Sequence, residues 1–196
     1  MTVQEEMDTK ISLNHAEFIV LGLIAENSSH AYNINKRIED RGMRNWTNIG
    51  RSSIYRVIKS LEEKNLTNKW TEEVDNRILK IYNITEKGSR VLKEKVFNVM
   101  KEFLGKNDED FYVAFSMLPL LTKEQLIDAF SYSIETMKKH KNDLEQMLQS
   151  NPNYPINVSG LFIHPIKILE TDIKFMEWVL EEVKKGGAEF ESKAQS

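Results

Sequence analysis

Ile54, Val57, Ile58 and Leu61 fall at i, i+3, i+4 and i+7, the spacing of a single buried helical stripe. Ser52, Tyr55, Arg56 and Lys59 repeat that spacing on another side, which carries hydroxyls and cations and no carboxylate. The wider segment from Arg41 to Leu61 holds five basic side chains (Arg41, Arg44, Arg51, Arg56, Lys59) and no acid. Such a helix has to be held by a scaffold on its apolar edge while the other face meets water. A face of that chemistry suits a polyanion, above all DNA.

The background makes the segment stand out, because the whole chain is acidic at net charge -3. Residues 1–88 carry 13 basic and 13 acidic side chains, and residues 89–196 carry 14 and 17. Positive charge concentrated within a neutral half points to one defined docking surface. With 196 residues, 40% of them hydrophobic, the chain can build one large domain or two small ones. It contains no cysteine, which excludes disulfides, thiolate metal sites and a cysteine nucleophile and fits a cytoplasmic protein. No apolar run approaches the ~20 residues needed to span a membrane.

Residues 1–12 read as a flexible arm. Asn14 to Glu17 forms a capping box that opens a nearly all-apolar helix ending near Glu26. A second helix is expected from about Ala31 to Arg41, with Tyr32, Ile34 and Ile38 as its apolar positions and Gly42 as its stop. Trp46 and Tyr32 are assigned to packing. The basic helix follows, roughly Arg51 to Lys64. Two strand-like runs, Leu66–Trp70 and Leu79–Ile84, flank the polar, turn-prone stretch Thr71–Arg77 and predict an antiparallel hairpin. Thr85 caps a fourth helix to about Leu104. Helix, helix, basic helix and hairpin is the order of a winged helix-turn-helix, whose third helix enters the major groove.

The second half reads as helical. A short helix is expected over Asp108–Met117, ended by Pro119. A capping box at Thr122–Gln125 opens a long helix to about Gln149, and a last helix runs from Pro165 to Gly186. Ile166, Leu169, Ile173, Met176, Leu180 and Val183 form a heptad seam in that helix. Ile168, Phe175 and Val179 add a second stripe, and Phe130, Ile134, Met137, Leu144 and Leu148 make a weaker seam in the helix before. One stripe can pack within the chain and the other needs a partner. We therefore expect a homodimer joined through Phe130, Met137, Ile166, Leu169, Ile173, Met176, Leu180 and Val183. The expected fold is mainly α: a winged helix-turn-helix over 13–105 including a linking helix, a helical dimerisation domain over 106–186 and a disordered tail over 187–196.

Several motifs in order resemble the PadR family of bacterial transcriptional regulators across roughly residues 13–92. Ile19–Glu26 looks like the family's opening helix, His30-Ala-Tyr32 like its His-Gly-Tyr turn, and Ser53-Ile-Tyr-Arg56 with Leu61-Glu-Glu63 like its third-helix signature. Arg77, Lys80-Ile-Tyr82 and Thr85-Glu-Lys-Gly88 look like its wing and following helix. Ala31 replaces the family's Gly, so the turn there should avoid a positive backbone angle. Asp75-Asn-Arg77 stands where the wing tip usually has Gly-Arg-Pro. The resemblance implies a repressor. In that picture a small-molecule effector bound in or beside the helical half would alter the spacing of two DNA-reading heads.

The candidate DNA contacts are Arg51, Ser52, Ser53, Tyr55, Arg56, Lys59, Arg77 and Lys80. Arg56 can read guanine through two parallel hydrogen bonds, and Lys59 supplies charge to phosphate. Ser52 and Ser53 lie near the helix start, where free amides and hydroxyls hold a phosphate. Tyr55 offers a hydroxyl to phosphate and a ring to a thymine methyl, and Arg77 and Lys80 serve the wing. No Gly-rich phosphate loop and no metal-spaced His/Asp/Glu set is present, so neither an enzyme nor a cofactor is expected. The competing function is a protein-interaction module that keeps a winged helix without specific DNA binding. The acid-free face argues against it.

Overall fold

The computed structural model describes residues 11–47, 49, 50, 54–74, 77–105 and 108–186. Among them seven α-helices and one two-stranded antiparallel sheet follow in the order α1 (His15–Glu26), α2 (Ala31–Asp40), α3 (Ile54–Glu63), β1 (Thr67–Val74), β2 (Arg77–Ile84), α4 (Glu86–Lys101), α5 (Phe111–Ser116), α6 (Lys123–Gln149) and α7 (Ile156–Lys185). Short 3-10 turns lie at Met43–Asn45 and Leu118–Leu120. The fold is mainly helical, with a winged helix-turn-helix in its first half. The chain divides into two compact units, 1–95 and 96–196. Residues 1–10 of the arm expected over 1–12, and the tail expected over 187–196, lie outside the described residues.

The first unit is built around α1. Its capping box is formed: Asn14 Oδ1 accepts from the Glu17 amide, and Glu17 Oε2 accepts from the Asn14 amide, both at 3.0 Å. Phe18, Ile19, Val20, Leu21, Leu23 and Ile24 are completely covered. Each contributes about 1.5–3 kcal/mol of hydrophobic transfer energy. The α3 stripe is buried as its spacing predicts, at Ile54, Val57, Ile58 and Leu61. α3 ends in a left-handed cap: Asn65 has φ 59°, its amide donates to Glu62 O, and the Leu66 amide donates to Leu61 O. In α2, His30 caps the helix by accepting from the Asn33 amide at 3.3 Å, so Ala31 is helical without a positive φ.

Four readings are corrected here. Tyr32 and Trp46 are not core residues, being 67% and 38% exposed. Tyr32 sits two residues from Ile34, about 200° around the helix, on the side opposite the buried Ile34 and Ile38. The strands also reach into the stretch taken for a turn, pairing from Thr67↔Ile84 out to Val74↔Arg77. The outer part of the ribbon, where Glu72, Glu73, Ile78 and Lys80 are exposed, is wet on both faces and needs no apolar alternation to keep its ladder. A further bridge stitches it to the loop before α2, where Ser29 and Tyr82 exchange two backbone hydrogen bonds at 3.0 Å.

The base of the ribbon meets α4 closely. The Thr85 amide donates to Leu66 O at 3.0 Å, and Thr85 Oγ1 accepts from the Gly88 amide at 2.9 Å. A Cβ at Gly88 would lie 2.1 Å from Leu66 O, so only glycine fits.

In the second unit α6 and α7 pack antiparallel. Lys123 Nζ donates to Lys184 O at 2.9 Å, and Lys138 pairs with Glu177 at 2.6 Å. The Thr122–Gln125 capping box is formed. The third correction concerns α7, which begins at Ile156 after Pro155 and runs through Pro165. An interior proline removes one hydrogen bond and costs about 3 kcal/mol. The earlier turns are held by the stacking of Phe162 on Tyr154 at 5.8 Å and by Ser159 Oγ donating to Tyr154 O. The fourth correction concerns the heptad seam. Phe130, Met137, Ile166, Leu169, Ile173, Met176 and Val183 are all buried within the single chain, and Leu180 is half-buried. Of the second stripe, Val179 is buried and Phe175 is half-buried against Phe111 and Phe115, with ring centroids 6.5 and 5.5 Å away. Leu161 and Ile168 toward the other end of α7 remain exposed, as does Trp178.

Candidate nucleic-acid interface

The helix that presents the candidate site is fixed from three directions. Its apolar stripe is buried, its C-terminal end is tied to α1, and its last turn is tied to the ribbon. Lys64 Nζ lies 2.7 Å from Glu17 Oε2, while Ser60 Oγ donates to Glu17 Oε1 at 2.7 Å. Burial pushes the Glu17 carboxyl up, but the Lys64 ammonium, the Asn14 amide and the Ser60 hydroxyl outweigh it and hold the group below its ordinary value. Glu62 pairs with Lys69 of β1 at 2.6 Å.

What α3 leaves in water is a narrow face of Tyr55, Arg56 and Lys59. Tyr55 is 68% exposed, Arg56 is exposed, and the Lys59 side chain is 77% exposed. Tyr55 and Lys59 are one turn apart, with Arg56 beside them. Lys59 reaches Glu63 at 3.7 Å, an exposed i,i+4 pair worth about 0.3–0.5 kcal/mol, which a phosphate can displace. The two acids of the helix, Glu62 and Glu63, stand at its C-terminal end. The Arg51, Ser52 and Ser53 positions lie outside the described residues.

Two of the five basic residues that marked this segment belong to the fold instead. Arg41 makes a two-pronged contact with Glu26, at 2.9 and 2.8 Å, and Arg37 joins the same carboxylate. Burial pushes the Glu26 carboxyl up, and Arg41 and Arg37 more than reverse that. Arg44 donates to Ile49 O and to Asn35 Oδ1, both at 2.6 Å. Glu26 and Asn35 are remote in sequence from the arginines they hold, so a count of local charge could not find them.

On the wing, Lys80 is exposed and directly opposite Thr71. Arg77 opens β2, and its side chain lies outside the described part. At the start of α2 the exposed Tyr32 stacks on the half-buried His30, ring centroids 6.2 Å apart. Identifying Tyr32 as surface required only the helical angle between it and Ile34.

Among the described residues no group of three or more His, Asp or Glu side chains is placed to hold a metal. Among the described residues no helix is long and apolar enough to cross a membrane.

Comparison with known proteins adds the following. Residues 20–94 match the profile of the transcriptional regulator PadR-like family. No curated protein sequence matches the chain. Among solved structures it is similar to Bacillus subtilis PadR in complex with operator DNA, at 14% identity, covering 88% of this chain and 99% of that one, with a TM-score of 0.43. It is also similar to Bacillus subtilis PadR in complex with p-coumaric acid (15% identity, 86% and 98% covered, TM-score 0.36). A third is the PadR-like regulator BC1756 of Bacillus cereus (18% identity, 89% and 98% covered, TM-score 0.39).

Proposed function

We propose that this chain, whose residues 20–94 match the profile of the transcriptional regulator PadR-like family, is a sequence-specific DNA-binding repressor acting as a homodimer. The observation that carries this reading is the exposed Tyr55–Arg56–Lys59 face of α3, opposite a fully buried stripe. In the proposed complex α3 lies in the major groove, Arg56 reads guanine, and Lys59 meets phosphate. Arg51, Ser52 and Ser53 hold backbone phosphate at the helix start. Tyr55 contacts phosphate or a thymine methyl, and Arg77 and Lys80 serve the wing.

One winged helix contacts one half-site, and a two-fold dimer places a second about 34 Å away. The apolar side chains that the single chain leaves uncovered, Leu161, Ile168 and Trp178, are the surface for the second copy in this reading. A small-molecule effector in the helical half would release DNA. A coupling of about 1.4 kcal/mol suffices for a tenfold loss of affinity.

The test is fluorescence anisotropy of the full chain on the duplex upstream of its own gene and on a random duplex, across a salt series. A preference of about 10³ or more for the first, with a steep salt slope, is the expected result. Equal weak binding to both would favour the interaction-module reading.

A further inference from the structure

We propose that Ile78 is an apolar DNA contact at the outer end of the wing, an inference that rests on the regulator reading above. The register fixes which side chains share a face, since directly opposed residues lie on one side and alternate along each strand. Lys69 and Tyr82 are opposed, and Lys69 reaches Glu62 of α3 at 2.6 Å. The face bearing that link therefore continues outward through Thr71 and Lys80 to Glu73 and Ile78. The opposite face holds Trp70, Glu72, Leu79 and Ile81.

The apolar residues divide unequally between these faces. Trp70 and Ile81 are directly opposed with Leu79 beside them, and Ile81 is buried. Ile78 lies on the other face and is 77% exposed. It is two residues from the exposed Lys80, on the side of the ribbon linked to the helix that meets DNA.

Glu73, directly opposite Ile78, repels phosphate, so the outer end of this face of the ribbon does not act as a phosphate clamp. Lys80 anchors the ribbon to the backbone, and Ile78 beyond it packs on the sugar walls of the adjoining minor groove, where apolar side chains find apolar surface.

The test uses the full chain and a duplex that it enriches from a randomised pool. Ile78→Ala is expected to weaken binding about tenfold, with the salt slope unchanged because no counterion is released through Ile78. Ile78→Val should retain most of the affinity. Lys80→Ala, by contrast, should lower the slope by about 0.9. Glu73→Gln should tighten binding. The circular dichroism melt of Ile78→Ala should match the parent, because the side chain has few protein neighbours to lose. Unchanged affinity of Ile78→Ala on a duplex the parent binds tightly, or a change in its salt slope, overturns the inference alone. Failure of the parent chain to enrich any duplex overturns the regulator reading and this inference with it.

Discussion

Lys64 Nζ stands 2.7 Å from Glu17 Oε2, and the carboxylate is the more deeply placed partner, 2% exposed against 32% for the lysine side chain. The same carboxylate closes the capping box of α1, so one side chain starts the first helix and anchors the end of the third. Glu17→Ala should cost about 3–5 kcal/mol, because it strands a partly buried ammonium and opens the cap. Urea unfolding measures this. The double variant with Lys64→Met should recover part of the loss, and strict additivity would show that the two residues do not interact.

The same pair sets a pH dependence. Glu17 is held below its ordinary value of 4.5, so its contribution is complete above that value and fades as pH falls through the lower folded one. The parent chain should therefore lose stability on acidification more steeply than Glu17→Gln. Parallel slopes for the two proteins would refute the coupling.

Two glycines should respond oppositely to alanine. At Gly88 the new Cβ meets Leu66 O at 2.1 Å, and Gly88→Ala should destabilise by about 1–3 kcal/mol. At Gly160, inside α7, a Cβ meets nothing within 4 Å, and Gly160→Ala should stabilise by about 0.5–1 kcal/mol. Thermal melts of both variants test this.

Arginines of the same basic segment should separate by assay. Arg56→Ala should cost about 1–3 kcal/mol of specific binding, and Lys59→Ala should lower the salt slope by about one. Arg41→Ala should instead cost about 1 kcal/mol of stability, since its pair with Glu26 is half-exposed. Equal loss of specific and random binding by Arg56→Ala would sink its base-reading role.

The apolar residues of α7 should also divide. Ile173→Glu places a charge in a buried position and should unfold the second unit. Trp178→Glu changes a side chain 58% exposed and should leave the fold intact while lowering the sedimentation mass toward one chain. A dimeric parent whose mass Trp178→Glu leaves unchanged would remove Trp178 from the proposed self-association surface, and a monomeric parent would overturn the homodimer itself.

Local signals were the legible ones. The boxes at Asn14 and Thr122 and the α3 stripe each depend on residues within two turns of one another, and each formed at its expected place. The misread features depend on distant partners or on competing forces. Arg41 and Arg44 look available until Glu26 and Asn35 are folded against them. Pro165 resembles a helix start, and the packing of Phe162 on Tyr154 carries the helix past it. The α7 seam has the spacing of an intermolecular coiled coil, but α6 returns antiparallel beside it and covers it first. Spacing specifies that a face will be buried and leaves open which chain does the burying.

Glu26 has a consequence for selectivity. By holding Arg37 and Arg41 its single negative charge cancels one of their two positive charges in the field that a nucleic acid would meet in the proposed complex. Sequence-independent attraction scales with the number of phosphates a protein neutralises, and it is the background against which any regulator must find its target. In the proposed complex that neutralisation keeps the background low, and discrimination would rest partly on positive charge that the fold itself offsets.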